Sequence, residues 1–526
     1  MEPVRMKSLP KSPTDFQFSD TLQKRNQILI FSFLLTLLIH LIANPHYGIS
    51  RDELYFIICG QSPAWGYVDQ PPLAPLLAAA SQQLGHSLFM LRAIPAVFSA
   101  LSVYVTQLIA LELGAGLYAL ILTGLITFFC PILMMIGLKL SAETANLLLW
   151  PLLLYLALRA TKEPKPSLWV ALGVATGISF YSKHSVIFLI TALTIGLLFS
   201  KQRRILFSPW ALVGGVIALL IALPHLIWEI QNHFPMVELL KNAEKGKNVN
   251  LSPIEFLFSQ VLITHPFYFL ISMLGLFWLA RRSNFRFLAL TYLIFILEMI
   301  LLKGKHYYVA SLYPALISAG AVALEKHIPS KAHLRGGFAT AVILLGLIFV
   351  PYSLPILPVE TFITYHHTLG PWLHMGKTKT ETDMIQPGAL DWPEWSDMQG
   401  WPELAHTVAQ VYAKLSPEER SQAVILTRNY GQASAIKYYN SPGQIPEVIS
   451  GHNQYFLWGT QNASGDVLID VGGDCLSSLQ LYQSSEVAQV FIQPHMRSTE
   501  SQLTLRICRG IKRPLNEVWN SLKLYL

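Results

Sequence analysis

The chain has 526 residues, of which 52% are hydrophobic and only 13% charged. Charged residues usually make up about a quarter of a soluble globular chain, which excludes an ordinary water-soluble enzyme, a disordered chain and a collagen-like one. The net charge of +7 is spread in short basic clusters between apolar runs, a pattern that orients membrane segments rather than one that binds nucleic acid.

Residues 1–26 are polar and carry Arg5, Lys7, Lys11, Lys24 and Arg25, too long and mixed a stretch for a cleaved signal peptide. They are expected to form a cytoplasmic tail. Apolar runs follow at 27–43, 91–112, 115–137, 142–158, 168–181, 185–200, 207–228, 255–280, 286–302, 307–324 and 337–354. This pattern predicts an α-helical polytopic membrane domain over 27–354 with about 11 spans, those at 168–181 and 185–200 being short. Basic clusters follow the even-numbered spans: Arg159, Lys162 and Lys165; Lys201, Arg203 and Arg204; Arg281, Arg282 and Arg286; Lys326, Lys331 and Arg335. The positive-inside rule places all four with the N-terminus in the cytoplasm. The loops after odd-numbered spans, and everything beyond about residue 355, then face outward.

Three lysines break that rule. Lys183 lies between the two short spans, and Lys303 and Lys305 follow the ninth run, all on the outer side. Snorkelling explains one such lysine; three on one face point to an anionic ligand at the outer membrane surface. The first outer loop, 45–90, holds Arg51-Asp52-Glu53-Leu54-Tyr55 and Gly66-Tyr67-Val68-Asp69-Gln70-Pro71-Pro72-Leu73. The Asp52-Glu53 pair is either a general base at the membrane surface or a solvated helix N-terminal charge. At the start of the fourth span, Ser141 has the character of a helix cap, and Glu143 and Asn146, three apart, can share one face.

Residues 355–387 are expected to be a connector and 388–526 a small extracytoplasmic α/β domain. In the latter, strand-like runs such as Ala423–Leu426 and Asp466–Val471 alternate with helical ones such as Pro402–Leu415 and Gln432–Tyr439. Cys475 and Cys508 in this stretch are either bridged or two free thiols. Cys59 and Cys130 lie in or beside apolar segments and are expected to be packing residues. Arg428-Asn429-Tyr430-Gly431 is a functional turn or ordinary turn chemistry, and His452 and Asn453 suit either sugar contact or packing. His366, His367 and His374 are expected to be interfacial rather than ligands.

The first-loop motifs are similar to those of bacterial family 39 glycosyltransferases, relatives of protein O-mannosyltransferases and of the lipid A aminoarabinose transferase. The similarity continues at Ser182-Lys183-His184, Gly304-Lys305-His306-Tyr307-Tyr308, Leu312-Tyr313-Pro314, Arg428-Asn429-Tyr430-Gly431, Ser450-Gly451-His452-Asn453-Gln454-Tyr455 and Trp458-Gly459. It implies a GT-C fold and transfer of a sugar, with inversion, from a polyprenyl-phosphate donor to a glycan, lipid or protein acceptor. It also implies an extracytoplasmic site in the bacterial plasma membrane. On this resemblance Asp52 is the catalytic base with Glu53 beside it, and Lys183, Lys305 and Lys303 are candidates for the carrier phosphate. The second-loop acid falls at Glu143 or Asn146 according to register, while Asp69 and Tyr307 belong to the substrate-binding motifs. Gln70 is a departure, since some relatives have a basic residue just before the Pro pair. Phosphate is a good leaving group, so no metal or other cofactor is expected. A transporter or flippase for a lipid-linked sugar, and a glycolipid-binding assembly protein, are the rival readings.

Overall fold

The computed structural model describes residues 13–246, 251–373, 390, 392–476 and 480–526. The described residues begin with a long helix, α1 (Pro13–Ala43), and the segment expected to be the first outer loop folds into two helices, α2 (Arg51–Gln61) and α3 (Leu73–Leu84). The membrane domain continues with α4 (Leu88–Glu112), α5 (Leu117–Phe129), α6 (Pro131–Ile136), α7 (Thr144–Lys162), α8 (Pro166–Ser182) and α9 (Val186–Leu198). Next come α10 (Pro209–Gln231), α11 (Pro235–Gly246), α12 (Pro253–Thr264), α13 (Pro266–Ala280) and α14 (Arg286–Leu301). A 3-10 turn over His306–Leu312 leads into α15 (Tyr313–His327), followed by α16 (Ala332–Leu347), the short α17 (Val350–Ser353) and α18 (Val359–Leu373).

Every apolar run read from the sequence is helical, but the runs are not all single straight helices. Among the described residues, five helical stretches are long and apolar enough to cross a bilayer: Thr21–Ala43, α4, α7, α10 and His306–His327. The α12–α13 pair makes a sixth if counted as one span, although it bends by 111° at His265. Pro266 cannot donate the helical hydrogen bond there, and His265 adopts φ 76°. Proline also breaks the run at 115–137, where Pro131 starts α6 after the Cys130 link. The apolar helices α5, α9 and α16 are shorter still. Large apolar side chains stand exposed along these helices, among them Leu212, Leu219 and Leu220 on α10. An apolar surface of this extent requires a non-aqueous surround, so this is a helical membrane protein.

Helices α8 and α10 meet through their glycines. A Cβ on Gly173 would strike the Gly214 carbonyl, so only hydrogen side chains allow this approach of two apolar helices. The contact brings the end of α8, with the turn that follows it, against α10.

The region expected as a connector carries α18 at its start, while 374–387 lies outside the described residues. Beyond it come α19 (Pro393–Ser396), α20 (Trp401–Ala413), α21 (Pro417–Gln422), β1 (Ala423–Thr427), α22 (Tyr430–Tyr439), β2 (Val448–Ser450) and α23 (Gln454–Trp458). Strands β3 (Val467–Val471), β4 (Tyr482–Ile492) and β5 (Gln502–Ile511) complete a sheet of order β2-β1-β3-β5-β4. The first three strands are parallel, and β5 and β4 are antiparallel. Strand β3, with five consecutive buried residues, reads as the fully covered strand of such a sheet. Cys475 and Cys508 form a disulfide, whereas Cys59 and Cys130 are free and buried.

One hydrophobic core runs through the first outer loop and the C-terminal domain. Leu54, Ile57, Ile58 and Ala74 from the loop share it with Trp401, Leu404, Ile436 and Ile469. The loop is therefore a packed layer between the membrane helices and the sheet, and its polar residues have fixed positions.

Candidate functional site

Ser50 caps α2 in a capping box, its hydroxyl receiving the Glu53 N–H while the Glu53 carboxylate receives the Ser50 N–H at 2.9 Å. Adjacent residues on a helix point about 100° apart, so Asp52 and Glu53 diverge from this start. Glu53 turns inward. Arg92 Nε and Nη2 donate to its two oxygens at 3.1 and 2.9 Å, and the Leu140 N–H donates at 3.1 Å. Both side chains of the pair are fully buried. Arg92 also binds the carbonyls of His46 and Gly48 at 3.2 and 2.8 Å, so one guanidinium ties α4 to the start of the outer loop. Burial by itself raises the Glu53 carboxyl pKa, but the Arg92 charge and hydrogen bonds hold it below the usual carboxylate value. Glu53, expected beside the base as a catalytic residue, has both oxygens engaged by Arg92, Ser50 and Leu140.

Asp52 turns the other way and leaves 44% of its side chain exposed. Its Oδ1 accepts a hydrogen bond of 2.8 Å from the Tyr430 hydroxyl, contributed by α22 of the C-terminal domain. The Tyr430 ring stacks on Tyr55 at 4.5 Å and on His452 at 5.0 Å. Arg51 lies 3.7 Å from Asp52 and 3.8 Å from Asp397, which Arg497 also binds at 3.1 Å. Asp69 accepts from the Tyr55 hydroxyl at 2.9 Å and from Asn453 Nδ2 at 3.1 Å.

Two of the expected lysines gather at a pair of tyrosines. Lys183, just past the end of α8, pairs with Glu143 and lies over the Tyr308 ring at 4.1 Å and the Tyr307 ring at 5.6 Å. Lys305 lies 5.9 Å from the centre of the Tyr307 ring. Tyr307 is within electrostatic reach of Lys183, Tyr308, Glu143 and Asp52. Lysines of two distant segments thus meet at Tyr307, whose charge environment also includes Asp52. The 3-10 turn over 306–312 supplies its tyrosines.

Two comparisons bear on this arrangement. Residues 69–228 match the family described as dolichyl-phosphate-mannose-protein mannosyltransferase. The chain superposes on ArnT from Cupriavidus metallidurans in the apo state with a TM-score of 0.58 at 15% identity, covering 91% of this chain and 97% of that one. The same enzyme bound to undecaprenyl phosphate gives 0.54 at 15% identity, covering 90% and 97%. The fold is the GT-C fold of ArnT. The likeness to family 39 glycosyltransferases read from the sequence motifs therefore extends to the architecture. No curated protein matches the sequence significantly.

Within this GT-C frame, the residues singled out in the sequence take different places. The family-matched segment carries Asp69, Glu143, Asn146 and Lys183, whereas Asp52 and Lys305 lie outside it. Between the two register options, Glu143 faces Lys183. Asn146 is buried between helices, where its Oδ1 accepts the Ser179 hydroxyl at 2.6 Å. Lys303 is 58% exposed and pairs with Glu244 of α11 at 3.2 Å, away from the Lys183 group. His366 is buried and stacks on Phe362, as an interfacial residue would, while His374 lies outside the described residues.

Arg92 and the Tyr430 contact are additions to the residues expected from the sequence. Arg92 left a signal, because a guanidinium one residue inside an apolar run needs an acidic partner. Tyr430 stood out only as part of the Arg428–Gly431 turn motif; its partner did not, since its contact with Asp52 joins residues 378 positions apart.

Burial pushes the Asp69 carboxyl up to about 6, against the opposing effect of the Tyr55 hydrogen bond. An acid whose folded pKa lies above its unfolded one makes the folded state hold more protons between the two values. Stability from this group is thus full below about pH 4 and is lost as pH rises through about 6. Asp69→Asn should remove that downward slope, measured as chemical denaturation between pH 4 and 7.

Proposed function

We propose that this protein is an integral membrane glycosyltransferase. It moves a sugar from a polyprenyl-phosphate-linked donor to a hydroxyl of an envelope glycan, lipid or protein, with inversion at the anomeric carbon. The site lies at the outer face of the bacterial plasma membrane, with the N-terminal tail in the cytoplasm and the C-terminal domain outside. Supporting the orientation are the four basic clusters that share the N-terminal side. The observation that carries the reading is the convergence of Asp52, Lys183 and Lys305 around Tyr307. The ArnT structure with undecaprenyl phosphate supports the donor class.

In this mechanism the isoprenoid chain lies among the membrane helices and its phosphate meets Lys183 and Lys305. Negative charge grows on the phosphate as the glycosidic bond breaks. A fixed ammonium stabilises that charge more in the transition state than in the ground state. Glu143 holds Lys183 in place before the donor arrives, and the ring faces of Tyr307 and Tyr308 keep the ammonium charged and oriented. Asp52 takes the proton of the attacking hydroxyl on the opposite face of the sugar, while the Tyr430 hydrogen bond fixes the carboxylate rotamer.

Lys183→Ala should lower kcat for sugar release from a radiolabelled polyprenyl-phosphate donor by about 10²-fold or more and raise the donor KM. The acceptor KM should stay near its parental value, and Lys183→Arg should restore part of the loss. A change confined to the acceptor KM refutes the phosphate role.

A further inference from the structure

We propose that His184, His225 and Glu229 form a zinc site that fastens the turn after α8 to α10. The sequence reading expected no metal, and the site stands apart from the transfer reading. Its potential ligand atoms, one from each residue, all lie within 4.8 Å of one another. His184 Nε2 is 2.7 Å from His225 Nε2, and His225 Nε2 is 3.8 Å from Glu229 Oε1. Tetrahedral zinc with ligand bonds of about 2.0–2.1 Å separates its ligand atoms by roughly 3.3 Å, so these two distances need only small side-chain adjustments. Closing the third, within 4.8 Å, requires a shift of His184 or Glu229.

Hydrogen bonding sets the histidine tautomer. His225 Nδ1 lies 2.8 Å from the Trp65 carbonyl, which can only accept, so Nδ1 carries the proton and the Nε2 lone pair faces His184. A carbonyl on the far nitrogen is the usual outer-shell partner of a metal-bound histidine. Without a metal, His184 must place an N–H between the two Nε2 atoms, and a cation takes the place of that one proton. Glu229 supplies the second observation. Its Oε1 is buried and has no hydrogen-bond partner among the described residues, a costly state for a carboxylate unless a cation meets it.

The surroundings are built to the same end. His225 and Glu229 are one helical turn apart on α10, and the packing of α8 on α10 brings the turn containing His184 to them. Phe180 meets both imidazoles edge-on, with centroids at 5.1 and 5.7 Å, and Trp228 stacks on His225 at 6.2 Å. Gly66 lets the loop come close, since a Cβ there would lie 2.7 Å from His225 Nδ1. Two imidazoles and one carboxylate suit zinc better than a hard cation such as magnesium or calcium. Because Lys183 precedes His184, a metal here also holds the turn that carries the lysine.

The test uses the full chain in detergent micelles, purified without a histidine tag, stripped with a chelator, loaded with zinc sulfate and desalted. About one zinc per chain is expected to remain, and cobalt loading should produce the visible bands of a four-coordinate site. His184→Ala and His225→Ala should each lose nearly all retained zinc, and Glu229→Gln should weaken binding at least tenfold. His366→Ala should match the parent. Parental protein that retains no zinc and gives no cobalt spectrum overturns the site. So does a monodisperse His225→Ala protein that still retains one zinc, which would leave the histidines a hydrogen-bonded pair only.

Discussion

Asp52→Asn is expected to lower the rate of sugar transfer by about 10²–10⁴-fold, the usual contribution of a positioned general base. The variant should still insert into membranes and elute as the parent does. An amide keeps the size of the carboxylate and can accept the Tyr430 hydroxyl bond of 2.8 Å through its carbonyl oxygen, so the contact between loop and C-terminal domain survives. What it cannot do is receive the proton of the attacking hydroxyl. The donor KM should change little, because Lys183 and Lys305 are untouched. Transfer measured with radiolabelled donor in reconstituted vesicles decides the point. Parental activity in Asp52→Asn means that the base lies elsewhere.

Arg92→Ala is expected to have the largest effect on stability. It leaves the Glu53 carboxylate buried without its charge partner, and breaking a fully buried pair in this way costs about 3–5 kcal/mol. The loss is not confined to one contact, because Arg92 also holds the carbonyls of His46 and Gly48. The outer loop would be released from α4, and Asp52 lies one residue from the anchor. The measurable result is a large drop in thermal unfolding temperature in detergent and a loss of monodisperse protein. Replacing both partners with apolar residues, Arg92→Met with Glu53→Leu, should recover much of the stability, since neither charge is then stranded. A stable, active Arg92→Ala variant would show that the pair does not organise the loop.

These two expectations rest on separating two neighbouring carboxylates that the sequence presents as a unit. Asp52 and Glu53 have the same chemistry, and either can be written as a base. The helix starting at Arg51 sends them in different directions. The position of Arg92 on α4 decides which one faces inward. The lysines differ in the same way. All three were legible as misplaced cations, but Lys303 pairs with Glu244 on a neighbouring helix while Lys183 and Lys305 lie at Tyr307. The spacing of His225 and Glu229 by four residues within an apolar helix was a visible signal of a shared face. Its third member, His184, depends on the glycine contact that brings α8 against α10.

The sequence by itself determined the membrane class, the helical character of each apolar run and the motif order shared with family 39 transferases. The first two follow from composition and local periodicity, which act over one or two helical turns; the third is a resemblance of motifs. It also marked the change to an α/β pattern near residue 390. Tertiary structure alone decided which acid is held and which is exposed, that Glu143 rather than Asn146 meets Lys183, and that Tyr430 reaches Asp52. Those outcomes depend on packing between segments far apart in the chain. There, a few ångströms of helix placement decide which polar atoms meet, and no local pattern records it.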